Sequence, residues 1–181
     1  MSREDELVYQ IGVTLLSDIG PISVKKLIAY CGGATEIFNQ KRQFLQRIPG
    51  INRNLVESIC NQRVLERAEE ELVFIRKNGI TPLFYLSPEY PDRLKHCADS
   101  PVMLYFKGNA NLNNSRVIAI VGTRLPTQYG LQQCEELIAG ISEHQVVVVS
   151  GLAYGIDACA HKQALQCDMT TIGVLAHGLD R

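Results

Sequence analysis

The chain has no tryptophan, no Cys-x-x-Cys pair, and no apolar run approaching the roughly 18 residues of a membrane span. Six cysteines, at 31, 60, 97, 134, 159 and 167, stand singly, and no two of them lie close to a histidine at zinc-like spacing. They are expected to be free thiols, and no metal site is expected. Met1-Ser-Arg-Glu-Asp-Glu6 is too acidic to open a signal peptide, which together with the missing span points to the cytoplasm. Charge of one sign is also lacking: the net charge is −1, so any polyanion must be held by a local patch rather than a global field. No GxxxxGK[ST] occurs, which excludes a nucleotide-hydrolysing P-loop. No GxGxxG follows a strand, so a dinucleotide site lacks its fingerprint and no cofactor is expected.

What is present suffices for one large domain or two small ones: 181 residues, 46% hydrophobic and 20% charged. Residues 3–78 carry helical periodicities broken by short Gly and Pro signals, with no convincing strand. A helical domain over 1–79 and a second domain over 80–181 are therefore expected. Ile80-Thr-Pro-Leu-Phe-Tyr-Leu86 and Val102-Met-Leu-Tyr-Phe106 read as short strands around a Pro-rich linker. From Arg116 the pattern alternates strand and helix, at 116–121, 127–143, 145–150, 155–166 and 170–175. This is βαβαβ, part of a doubly wound parallel sheet in an α/β fold. With the two earlier strands, a five-strand remnant is expected, cut short after its last strand and liable to pair along that edge.

Two strand-to-helix joins carry the chemistry. Val146-Val-Val-Val-Ser150 stops abruptly at Gly151-Leu-Ala-Tyr-Gly155-Ile-Asp157, and Val117-Ile-Ala-Ile-Val121 runs into Gly122-Thr-Arg-Leu-Pro-Thr-Gln-Tyr-Gly130. Continuous Val marks a strand buried on both faces, and a helix opening straight after it turns unpaired backbone N–H groups toward an anion. In the first turn, Gly122 permits close approach, Thr123 can cap or bond a phosphate, and the planar fork of Arg124 suits bidentate phosphate contact. In the second, Ser150, Gly151, Leu152 and Ala153 can form a cradle, with Gly155 opening the helix. Pro126 and Thr127 suit the start of the first helix, Thr as N-cap or Pro near its first position. Tyr129 can stack a base or pack against the neighbouring loop. Asp157 is expected to complement the helix dipole, and His161 follows at i+4 on the same face. An Asp–His pair needs a nucleophile, and Ser150 is the one nearby.

The helical half repeats a plan of apolar residue, glycine turn, apolar residue and second helix, at Leu16–Ile28 and Arg47–Ile59. These segments resemble helix-hairpin-helix units, in which turn N–H groups grip a nucleic-acid phosphate and basic residues assist. Lys25, Lys26, Lys41, Arg42, Arg47 and Arg53 are placed for that role, and four basic residues with no acidic one lie between Ile37 and Val56. The same turns serve equally as economical connections or as part of a protein-docking module. Tyr9, Tyr30 and Phe38 are assigned to the core.

Taken together, VGTRLPTQYG at 121–130, SGLAYGIDACAHKQAL at 150–165 and TIGVLAHGLDR at 171–181 resemble the DNA-processing protein A (DprA/Smf) family of bacteria. The resemblance implies a SAM-like or helix-hairpin-helix domain before an extended Rossmann-like core, and covers essentially the whole chain. It also implies a non-enzymatic single-stranded-DNA-binding protein of natural transformation, which protects incoming DNA, helps load the RecA recombinase and is a homodimer at full length. Arg124 would contact DNA phosphate, and Ser150, Gly151, Leu152 and Ala153 would line the same pocket. One rival is a nucleoside-monophosphate hydrolase of the Rossmann-like LOG group, whose PGGxGT signature is absent. The other is a protein-docking module.

Overall fold

A computed structural model describes residues 3–17 and 19–180; Asp18, in the first helical hairpin, and Arg181, ending the third motif, lie outside the described residues. The chain divides into two compact units, Met1–Lys107 and Gly108–Arg181.

The first unit opens with six helices: α1 (Arg3–Thr14), α2 (Pro21–Cys31), α3 (Ala34–Asn39), α4 (Arg42–Leu45), α5 (Arg53–Asn61) and α6 (Arg63–Lys77). Their limits follow from local chemistry. Pro21 takes the first turn of α2, where its missing N–H costs nothing, and Gly32 ends the helix at φ 99°, its N–H bonding the Ile28 carbonyl at 2.8 Å. Asn52 caps α5 by accepting the Leu55 N–H at 2.8 Å. Ile11, Leu27, Ile37, Leu45, Val56 and Ile59 are fully buried and form the core with Phe38, whose ring lies 5.8 Å from that of Tyr9. Tyr30 departs from expectation and is 51% exposed, because the buried stripe of α2 runs through Val24, Leu27 and Ile28 and misses it.

β1 (Thr81–Phe84) and β2 (Met103–Phe106) pair antiparallel with each other, Thr81 opposite Phe106 and Phe84 opposite Met103. They do not join the parallel strands, so the expected five-strand sheet is instead a two-stranded ribbon and a three-stranded sheet. Pro82 gives a physical reason, since a residue without N–H belongs on an edge. Between the two strands, α7 (Asp92–Lys95) precedes a turn. Tyr90 is fully buried there and donates its hydroxyl to the Pro101 carbonyl at 2.6 Å. The ribbon falls within the first compact unit, although the sequence pattern places the domain change near Gly79.

The second unit is the βαβαβ pattern. β3 (Val117–Ala119), β4 (Val147–Ser150) and β5 (Thr171–Gly173) form a parallel sheet in the order β3-β4-β5. Val117 lies opposite Val147, and Ser150 opposite Gly173. The crossovers are α8 (Gln128–Ile141), continued by a 3-10 turn at Ser142–His144, and α9 (Ile156–Gln166). Cys134 and Ile138 of α8 and Ala160 and Ala164 of α9 share one core with Ile120, Val148 and Met169. The small residues of α9 let the two helices approach closely on one side of the sheet. No helix of the described residues is long and apolar enough to cross a membrane.

Candidate phosphate-binding site

Because β3 and β4 are neighbours, the turns after them emerge side by side at the carboxyl edge of the sheet, where open α/β sheets bind ligands. The turns interlock. Ile156, first residue of α9, donates its N–H to the Thr123 carbonyl at 3.2 Å. A Cβ on Gly122 would lie 2.7 Å from the Ile156 side chain, and one on Gly155 would lie 2.8 Å from the Arg124 Cα. Gly155 also sits at φ 87°, in the region that favours glycine. Gly155 is therefore fixed by the crossing of two backbones, and Gly122 by the Ile156 side chain laid against it.

Asp157 completes the interlock. Its side chain is only 6% exposed, and Oδ1 accepts the Gly122 N–H at 3.3 Å. It does not cap its own helix, whose N-cap is Gly155; it bonds the other turn instead. This linking role is absent from the sequence reading, which gave Asp157 to its own helix dipole.

Several expected ligands separate into distinct roles. Arg124 is exposed, and among the described residues its guanidinium has neither an ion pair nor a hydrogen bond. Thr123 turns its hydroxyl inward to accept the Leu125 N–H at 3.2 Å, stiffening the loop that carries Arg124. Thr127 is the N-cap of α8, accepting the Gly130 N–H at 3.1 Å, so Pro126 precedes the cap rather than opening the helix. Ser150 is 3% exposed and donates its hydroxyl to the Ile120 carbonyl at 2.6 Å. That side chain ties β4 to the end of β3, and the Ser150 carbonyl accepts the Val174 N–H at 2.8 Å, so Ser150 is bound within the sheet rather than offered to a ligand. Gly151, Leu152, Ala153 and Gly155 keep backbone N–H groups with no protein acceptor among the described residues. Leu152 holds φ 59°, unusual outside glycine, with its side chain laid over the bare Cα of Gly173.

Around this rim stand Tyr129, 71% exposed, and Tyr154, 86% exposed. Packing against the neighbouring loop therefore does not describe Tyr129, and Tyr154 was not singled out by the sequence reading. Its signal was available: an aromatic between Ala153 and Gly155 in a turn has no core to enter.

His161 lies beneath the second turn. Thr171 gives its one hydroxyl proton to the Val148 carbonyl at 3.1 Å, so its oxygen accepts from His161 Nδ1 at 2.7 Å. Nε2 is buried and, among the described residues, meets no partner at hydrogen-bond distance. Burial pushes the imidazole below its ordinary 6.5, with Asp157 and the Ser150 backbone opposing. Thr171, rather than Asp157, orients the ring. Further along, His177 Nδ1 lies 2.8 Å from the Gly178 carbonyl at the same edge. Among the described residues no cluster of His, Cys, Asp and Glu could hold a metal ion.

The basic residues of the helical unit are not equivalent. Lys25 is bound within the fold, donating to the Ala98 carbonyl at 3.1 Å and to Ser100 Oγ at 2.7 Å, over the Tyr85 ring. Arg42 pairs with Glu57 at 2.8 Å on the surface. Lys26 brings its ammonium to the second hairpin, 3.6 Å from where a Gly50 Cβ would lie, while Lys41, Arg47 and Arg53 are exposed.

The family model for DNA recombination-mediator protein A matches residues 81–181. The chain belongs to that family. DNA recombination-mediator protein A relatives include the DNA processing protein DprA of Streptococcus pneumoniae, 44% identical over 91 residues, 50% of this chain and 32% of that protein. The Bacillus subtilis DprA is 42% identical over 108 residues, 59% of this chain and 36% of that protein. The X-ray structure of the S. pneumoniae DprA matches with a TM-score of 0.69 at 30% identity, covering 96% of this chain and 59% of that one. The chain thus spans about a third of the length of these curated relatives, 32% and 36%. The match to the solved structure extends over both units, so the mixed α/β architecture with an N-terminal helical region is the family's own. The family match begins at residue 81, with the β1–β2 ribbon.

Proposed function

We propose that this chain carries the DNA-phosphate site of a single-stranded-DNA-binding protein that acts in DNA uptake, protects incoming DNA and helps load the RecA recombinase. The observation that carries the reading is the pair of interlocked turns: free N–H groups of Gly151, Leu152, Ala153 and Gly155 beside the unpaired guanidinium of Arg124. Backbone donors and a planar cation recognise phosphate without reading bases. Tyr129 and Tyr154 offer π-faces beside them, and stacking is equally indifferent to sequence. The protein would work without catalysis, in the cytoplasm, and as a homodimer at full length. Its lack of catalysis is supported by Ser150, whose hydroxyl is committed to the Ile120 carbonyl. Lys26, Lys41, Arg47 and Arg53 would add auxiliary phosphate contacts, whereas Lys25 is already bound within its own unit.

The test is an anisotropy titration of labelled oligo-dT and of unrelated single strands, using the longest natural form of the protein at low and high salt. Arg124→Ala should weaken every sequence alike and lower the salt slope by about 1. A loss that depends on base identity would contradict the phosphate assignment. Release of free base from nucleoside monophosphates would establish the hydrolase reading in its place.

A further inference from the structure

The helices that carry the two turns also carry a pair of thiols facing each other. On α8, Leu131, Cys134 and Glu135 occupy one face; on α9, Ile156, Cys159 and Ala160 occupy one face. Cys134 Sγ reaches across to the Ile156 carbonyl at 4.0 Å, and Cys159 Sγ reaches back to the Leu131 carbonyl at 3.8 Å. Each thiol thus meets the carbonyl three residues before the other cysteine, which sets the two side chains opposite one another at the helix crossing. Cys134 is buried in the core, while Cys159 is half-buried, with the Glu135 carboxylate 4.0 Å from its sulfur.

We propose that Cys134 and Cys159 are an oxidation-sensitive pair that a hydroperoxide converts to an intramolecular disulfide joining α8 to α9. This inference is independent of what the neighbouring site binds. Cys159, the more accessible thiol, attacks the peroxide oxygen; the O–O bond breaks, an alcohol or water leaves, and Cys159 becomes the sulfenic acid. The Glu135 carboxylate is placed to take the thiol proton and return it to the leaving oxygen. Cys134 then attacks the sulfenic sulfur, the S–O bond breaks, water leaves, and the S–S bond forms. Two thiols are oxidised and one peroxide is reduced. In the reduced pair, burial and the neighbouring Cys159 push the Cys134 thiol up to about 11; the burial persists once Cys159 is oxidised, so the closing step is slow near neutrality and its rate rises with pH. Since α9 begins in the second turn and α8 follows the first, the bond would fix the two turns against each other.

The experiment exposes the whole 181-residue chain to hydrogen peroxide, blocks remaining thiols with iodoacetamide and maps the peptides by mass spectrometry. The expected result is loss of two of the six thiols, with a peptide linking Cys134 to Cys159 in monomeric protein. Cys159→Ser, at the half-buried position, should abolish the linked peptide, and Cys60→Ser with Cys97→Ser should leave it intact. Closing should speed as pH is raised from 7 toward 10. Separately alkylated Cys134 and Cys159 in oxidised wild-type protein would overturn the proposal. So would Cys159 sulfinic acid without the link, or cross-links confined to the exposed Cys60 and Cys97.

Discussion

Single residues decide what the two turns can do. Gly155 sits at φ 87° against the Arg124 backbone, so Gly155→Ala combines a left-handed strain of about 1–2 kcal/mol with a clash that must separate the turns. The expected outcome in urea unfolding is a loss exceeding the strain alone, with weaker oligo-dT binding. Asp157 offers a finer contrast. Asp157→Asn keeps an acceptor for the Gly122 N–H and removes a buried negative charge beside the proposed anion site. Asp157→Ala leaves that N–H unsatisfied and should cost about 1–3 kcal/mol. Binding at least as strong in the Asn variant, with stability lost only in the Ala variant, would assign Asp157 to joining the turns. His161 carries a pH dependence. Its folded-state pKa is depressed, so its contribution to stability is present above the ordinary 6.5 and is lost as pH falls through the lower folded value. Exchange protection of the amides around Val148 and Thr171 should therefore decline as pH falls from about 6.5 toward the lower folded value and level off beneath it, and His161→Gln should flatten the slope.

At the scale of elements, the strands and helices end where local signals place them. Thr127 is the N-cap of α8, and Thr127→Ala should cost about 1 kcal/mol and loosen the loop holding Arg124. Thermal unfolding followed by circular dichroism measures it. This cap, the glycine turns and the βαβαβ order were legible because each depends on residues adjacent in sequence. Longer connections were not. The Asp157 bond to Gly122 spans 35 residues, Ser150 to Ile120 spans 30, and Lys25 to Ser100 spans 75. Polar side chains at these positions look like ligands until the fold supplies their partners. The ribbon illustrates the same limit: two short strands were recognisable, but which strands they would pair with was not.

The whole molecule adds a question of division of labour. Its near-zero net charge gives no long-range pull toward DNA, so under the proposed function attraction would arise locally, at the Arg124 turn, at the second hairpin, or at both. A joint Lys41→Ala, Arg47→Ala and Arg53→Ala variant should leave phosphate capture at the α/β turns in place and reduce the salt slope only to the extent that the helical unit contributes. Arg124→Ala, in contrast, should weaken the proposed phosphate site itself and lower the slope by about 1.

The most direct measurement is amide NMR of the ¹⁵N-labelled protein during titration with oligo-dT. If the interlocked turns are the phosphate site, the largest shifts fall at Gly122, Thr123 and Arg124 together with Gly151, Leu152, Ala153 and Gly155. Shifts confined to residues 41–53, with both glycine turns unmoved at saturation, would contradict that claim.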